Sequence, residues 1–202
     1  MREKYRLKRK RKRQVRITVF IIILLAVLDA TGVIEAGIRG IKSLIYPLDY
    51  QEIIIGQARA NNLEPEFIMA IIKVESNYVE DAHSGKASGL MQLTDETGDW
   101  VAKKLRMDVE EIDLMNPEDN ITLGCYYIRY LMDYYGGNAD VALAAYNGGM
   151  GNVNRWLADP RYSEDGKSLS EIPFAETRNY VKKVNKETKR YKKLLEESKR
   201  FK

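Results

Sequence analysis

One carboxylate in this chain stands where a charge is out of place. Between Ile68 and Tyr78 the residues run Ile-Met-Ala-Ile-Ile-Lys-Val-Glu-Ser-Asn-Tyr, and spacings of three, four and seven put Glu75 on one helical face with Ile68, Ile71 and Ile72. If those isoleucines face a core, Glu75 lies at its edge, where desolvation raises the carboxyl pKa. A carboxylic acid held protonated near neutral pH is the group needed to protonate a departing sugar oxygen. The competing arrangement is a helix-end glutamate turned to water or paired with Lys73.

Few other chemistries are open. His83 is the only histidine and Cys125 the only cysteine, so there is no Ser-His-Asp arrangement, no Cys-His pair, no intrachain disulfide and no zinc-binding cluster. Cys125 falls in the apolar-rich run Cys-Tyr-Tyr-Ile and reads as core packing. What remains is chemistry run by carboxylates, which in glycosidases usually means two of them.

Three further blocks follow Glu75 in order: Ala87-Ser88-Gly89-Leu90-Met91-Gln92, Ala144-Ala145-Tyr146-Asn147-Gly148-Gly149, and Ile172-Pro173-Phe174-Ala175-Glu176-Thr177-Arg178-Asn179-Tyr180-Val181. Together with the Glu75 block, over roughly residues 50–195, they resemble the soluble lytic transglycosylase family, whose catalytic domain is related to goose-type lysozyme. Joint occurrence is far more specific than any one block. The resemblance implies a mainly α, lysozyme-like fold with little β structure. It also implies cleavage of the β-1,4 bond between N-acetylmuramic acid and N-acetylglucosamine by a single glutamate, matched by Glu75. That residue would first protonate the leaving oxygen, then take the proton of the muramic acid 6-hydroxyl as a 1,6-anhydro ring closes. No water is consumed, so no second base is required, and no metal or cofactor is implied.

The same resemblance suggests substrate contacts at Ser76, Ser84, Gln92, Tyr146, Asn147 and Glu176. Each has a plainer reading: Ser76 as a helix-end hydrogen bonder, Tyr146 as core, Glu176 as a first-turn acid favourable to the helix dipole. Met91 reads as core, and Tyr180 is expected to pack beneath the cleft. Arg178 is left to pair with Glu176 or with an acid across the groove. The pattern departs from the family at Leu93-Thr94-Asp95, where Thr94 replaces a methionine expected to line the cleft. A hydrolytic muramidase on the same bond would need a base, for which Asp81, Asp95 and Glu176 are the candidates. A wall-binding scaffold without activity is the remaining rival.

The elements that must hold these residues are helical. Helical patterns cover 50–61, 64–76, 94–105, 109–115, 117–135, 139–147, 151–158 and 173–199, with a loop over 77–88 and a small hairpin or irregular strand around 85–92, and no sustained period-2 alternation appears. The last helix is amphipathic, with seven Lys and Arg from Lys182 to Lys193 over apolar Val181, Val184 and Tyr191, which reads as a solvated basic face.

Ahead of this domain, residues 1–16 hold ten Lys or Arg against Glu3, and the rest of the chain carries about −5 by formal count. The apolar run 17–28 follows directly, the order of a positive-inside membrane signal. We read 1–16 as a basic cytoplasmic segment, 17–38 as a transmembrane signal-anchor admitting Asp29 or Glu35 near its outer interface, 39–49 as a linker and 50–202 as the catalytic domain on the cell-wall side. A cleaved signal peptide is the alternative; no small-x-small site follows Leu28 directly. The partners so expected are peptidoglycan glycan strands and the cytoplasmic membrane, with nucleic acid the minor reading for the basic run.

Overall fold

The computed structural model describes residues 2–30, 32, 33, 37 and 46–200, and the chain divides into two units, 1–48 and 49–202. The first unit contains α1 (Arg2–Ala30). Its apolar stretch is solvent-facing from Ile17 to Val27, with Phe20 66% and Ile22 59% exposed. Among the described residues no helix is long and apolar enough to cross a membrane. The expected span over 17–38 is therefore not made by α1 alone: its uninterrupted apolar part stops at Leu28, and twelve residues rise about 18 Å against a hydrocarbon core of about 30 Å. Residues 31, 34–36 and 38, needed to complete it, lie outside the described residues, as does most of the expected linker.

The second unit is mainly helical. In order it runs α2 (Gln51–Ala60), α3 (Pro65–Glu75), three two-residue strands β1 (His83–Ser84), β2 (Ala87–Ser88) and β3 (Leu93–Thr94), then α4 (Asp95–Leu105), a 3-10 turn (Val109–Glu111), α5 (Pro117–Tyr134), α6 (Ala139–Gly148), α7 (Met150–Leu157) and α8 (Ala175–Arg200). The strands pair antiparallel in the order β1-β2-β3, with His83 opposite Ser88 and Ala87 opposite Thr94. Most expected helix bounds agree to within two residues. The exception is 109–115, which makes only a 3-10 turn. There Asp108 accepts from the Glu110 N–H, Asp113 from that of Met115 and Asp119 from that of Asp113, so short acidic side chains take up backbone donors that a helix would need.

α3 is the centre of the domain. Pro65 starts it at a position where the missing N–H is no loss, and it packs on α2 and most extensively on α8. Phe67, Ile68, Met69, Ala70, Ile71 and Ile72 are all buried. The helix is thus enclosed on every side, where the sequence suggests a single apolar stripe. Glu75 is shielded because it ends a central helix.

Candidate active site

Glu75 is the last residue of α3, with a partly buried side chain. Burial among apolar groups pushes its carboxyl up to about 7 from an ordinary 4.5, and the Tyr180 hydroxyl holds back part of that rise. The chain leaves the helix sharply: Asn77 and Tyr78 both take left-handed backbone conformations, φ 53° and 67°, which is strained for a tyrosine. Several contacts hold this turn, among them the Tyr78 hydroxyl donating to the Met69 carbonyl at 3.4 Å. The Tyr78 N–H donates to Ser76 Oγ at 3.2 Å, and its ring lies tilted against Tyr191 of α8 with centroids 6.3 Å apart. Lys73 does not neutralise Glu75; its ammonium donates to Asn77 Oδ1 at 2.5 Å.

Two tyrosines bring hydroxyls into the field of Glu75. Tyr180, on the inner face of α8 with Thr177, Val181 and Val184, is 6% exposed. Its hydroxyl is shut off from solvent and reaches no partner at full hydrogen-bond geometry, yet it lies near enough to Glu75 for each group to shift the other. Burial, then the Glu75 charge, drive the Tyr180 phenol well above its usual range. Tyr146, near the end of α6, is raised by the same two causes in the same order, and its hydroxyl donates to the Met91 carbonyl at 2.7 Å. Gly148 lets the end of α6 close on α8: an added Cβ would meet Thr177 Oγ1 at 3.0 Å.

The 82–94 segment is organised differently. Ser84 donates to Gln92 Oε1 at 2.5 Å, while Gln92 Nε2 donates to the carbonyls of Ala82 and Gly89, both at 2.9 Å. Gln92 itself is held at φ 49°. Behind it, fully buried Asn120 of α5 donates to the carbonyls of Ser88 and Leu114 and accepts from the Met91 N–H at 2.7 Å. Gly89, at φ 75°, fits only without a side chain: a Cβ would stand 2.1 Å from the Leu114 carbonyl oxygen and 2.3 Å from Asn120 Nδ2. Met91 is core, packed on Gly124.

Of the residues named from sequence, Glu75 and Tyr146 come together, and Ser84 and Gln92 bond each other. Ser76 is buried; its hydroxyl donates to the Ile72 carbonyl at 3.2 Å while accepting from Tyr78. Asn147 is half-buried beside Tyr146. Glu176 is exposed on the first turn of α8 and is not among the groups that act on Glu75. Arg178 settles on neither acid offered to it, donating instead to the Ile172 carbonyl at 2.7 Å. Thr94 caps α4, accepting from the Thr97 N–H. Sequence reasoning missed the Tyr180 hydroxyl and the Asn120 staple. Thr177, Tyr180, Val181 and Val184 fall at helical spacing, which would have turned Tyr180 inward; Asn120 adjoins Ile121 and precedes Gly124, Ile128 and Leu131 on the inner face of α5.

A small helical domain with a short three-stranded sheet and one desolvated glutamate at the end of its central helix is the lysozyme-like class. Within that class the chain belongs to the transglycosylase SLT domain family, whose profile matches residues 52–168. It is similar to the soluble lytic murein transglycosylase of Salmonella typhimurium, 35% identical over 143 residues that make up 69% of this chain and 22% of the relative. It is also similar to the membrane-bound lytic murein transglycosylase C of Serratia proteamaculans, 29% identical over 64% of this chain and 43% of the relative. An inactive mutant of the lytic transglycosylase Slt from Pseudomonas aeruginosa superposes with a TM-score of 0.68 at 31% identity, covering 77% of this chain and 26% of that one. The chain thus spans about a fifth of the length of the soluble relatives it matches.

Proposed function

We propose that residues 50–202 are a peptidoglycan lytic transglycosylase domain in which Glu75 serves first as acid and then as base. The observation that carries this reading is the Glu75 carboxyl itself, shifted to about 7 by burial with no second carboxylate acting on it. A group poised there donates a proton to the glycosidic oxygen and, once ionised, removes one from a hydroxyl of the same sugar. Asp81, Asp95 and Glu176, the bases a muramidase would call on, are all exposed, which favours intramolecular closure to a 1,6-anhydro product. The MurNAc-GlcNAc bond is the substrate linkage this chemistry fits. Tyr180 acts as a positioning residue that limits the rise of the carboxyl, and Tyr146, its hydroxyl held by the Met91 carbonyl, walls the site beside it. Asn147 and Glu176 remain the substrate contacts proposed for the groove, whereas Ser76, Ser84 and Gln92 act by holding the backbone on which a glycan lies.

The test is the mass of the sugar fragments released from purified peptidoglycan, with Glu75→Gln as control. Fragments ending in anhydromuramic acid, one water lighter than hydrolytic ones, are expected. Reducing muramic ends would make the protein a hydrolase instead.

The same proposal places the protein at the cytoplasmic membrane. A basic segment followed by a continuously exposed apolar helix surface has no stable place in water, so residues 17–38 would form the anchor, 1–16 the cytoplasmic side and 39–49 the tether. The full chain should stay with membranes through a high-salt wash and leave them in detergent. Release by salt alone would contradict an anchor.

A further inference from the structure

The outer face of α8 carries one sign of charge. Between residues 182 and 193 every exposed residue is one of six lysines or Arg190. The interval spans about 17 Å of helix, and these side chains share one half of its circumference. Tyr180, Val181, Val184 and Tyr191 lie on the other half and are buried. The body of the domain has the opposite balance, with 23 acidic and 11 basic residues over 49–181. Its acids do not neutralise the face. Asp140 of α6 accepts from the Asn185 amide at 2.7 Å, and Arg190 and Lys193 pair with Glu187 and Glu197 of α8 itself. Among the described residues Lys182, Lys183, Lys186, Lys189 and Lys192 form no ion pair.

A face kept only for solubility would mix its charges. Like charges four apart, here 182 with 186, 186 with 190 and 189 with 193, weaken a helix. The pull of the helix dipole on cations is confined to the last turn, which in α8 lies beyond residue 193. The arrangement therefore costs the helix stability and gains nothing within the chain. An extended anionic surface offsets that cost. A cationic edge on an acidic body is a dipole that such a surface orients, α8 inward and body outward. Because no exposed apolar residue interrupts the face between 182 and 193, the contact it makes is with charged groups and not with acyl chains.

We propose that the basic face of α8 docks the domain on the anionic headgroups of the membrane that holds the chain. The proposal rests on the reading of residues 17–38 as an anchor, which selects a bilayer among polyanions. The tether 39–49 extends to about 40 Å at most, so the face meets headgroups at high effective concentration. Each lysine adds to the attraction over a range of about 8–10 Å set by salt. Docking also orients the catalytic site. Tyr180 lies on the opposite face of α8, beside Glu75, so the Glu75 side of the helix is turned from the lipid and towards glycan.

The experiment reconstitutes the full chain in vesicles of zwitterionic lipid and in vesicles with roughly one-third anionic lipid, and follows by mass spectrometry how fast a membrane-impermeant amine reagent modifies each lysine. Lys182, Lys186 and Lys189 should react about fivefold more slowly on the anionic vesicles, while Lys86 and Lys103, exposed on the body of the domain, react at the same rate on both. Salt at about 0.5 M should restore the fast rates. Equal rates for the α8 lysines on the two vesicles would overturn the docking, as would equal slowing of Lys86 and Lys103. Protection by soluble polyphosphate added to zwitterionic vesicles, with none from the anionic bilayer, would make the partner a dissolved polyanion and overturn it too. A chain that does not float with the zwitterionic vesicles would instead overturn the anchor reading, and the docking with it.

Discussion

The end of α3 and the loop from residue 82 to 92 treat their polar groups in opposite ways. In the loop, Ser84 and Gln92 bond each other and Gln92 the carbonyls of Ala82 and Gly89, while Asn120 of α5 bonds the carbonyls of Ser88 and Leu114 from behind, so the loop holds its shape and offers little polar capacity to a ligand. At the helix end, the Glu75 carboxyl is desolvated and the Tyr180 hydroxyl beside it is buried with bonding capacity left over. Resemblance marked Ser84, Gln92 and Glu75 alike as site residues. The geometry separates them into a self-bonded wall and a desolvated carboxyl, and the second is the group our proposal makes reactive.

The largest way to break this contrast is at Glu75. Glu75→Gln keeps shape and burial but has no proton to give, and turnover of peptidoglycan should fall by at least about a thousandfold in an assay of released fragments. Substantial residual activity would put the reactive group elsewhere. On the wall side, Gly89→Ala brings a Cβ against the Leu114 carbonyl and Asn120 at a left-handed φ. It should cost about 3–5 kcal/mol in denaturant unfolding, or prevent folding; a variant of normal stability would show that the loop is not rigid.

A smaller effect sharpens the helix-end side. The folded pKa of Glu75 lies above its unfolded value, so its contribution to stability is full below about 4.5 and lost as pH rises through about 7. Glutamine has no charge to bury. Glu75→Gln should therefore unfold about 1–3 kcal/mol later than the parent at pH 8, with the difference closing towards pH 4. The smallest effect is at Tyr180. Removing its hydroxyl in Tyr180→Phe takes away the contact that restrains the Glu75 shift, so the alkaline fall of kcat/KM should move up by less than about one pH unit. A downward move would reverse the assigned role.

Much of this was legible in the residues. Pro65 and the Ile-rich run bounded α3, and the helical spacing put Glu75 against apolar groups before any coordinates. The extent of its enclosure was not legible, because α2 and α8 close over α3 from distant parts of the chain. Side-chain partners were the other gap. Arg178 offered no local sign that it would bond the Ile172 carbonyl, and the Ser84–Gln92 bond depends on how the loop returns across eight residues. Local signals misled at 109–115, where a helix-like composition lost to acidic side chains that bond the backbone. Thr94 is the reverse case: three residues before Thr97 and opening a helix, it reads as an N-cap by ordinary rules, and only the comparison with a cleft methionine pointed elsewhere.

The central claim is that one buried carboxyl holds its proton to near neutrality, and a direct titration tests it. Carbon-13 NMR of the glutamate carboxyls in the full chain, with Glu75→Gln to assign the missing resonance, should show Glu75 titrating at about 7. Titration near 4.5 would mean that Glu75 is ionised at working pH, and the single-carboxylate account would have to be abandoned.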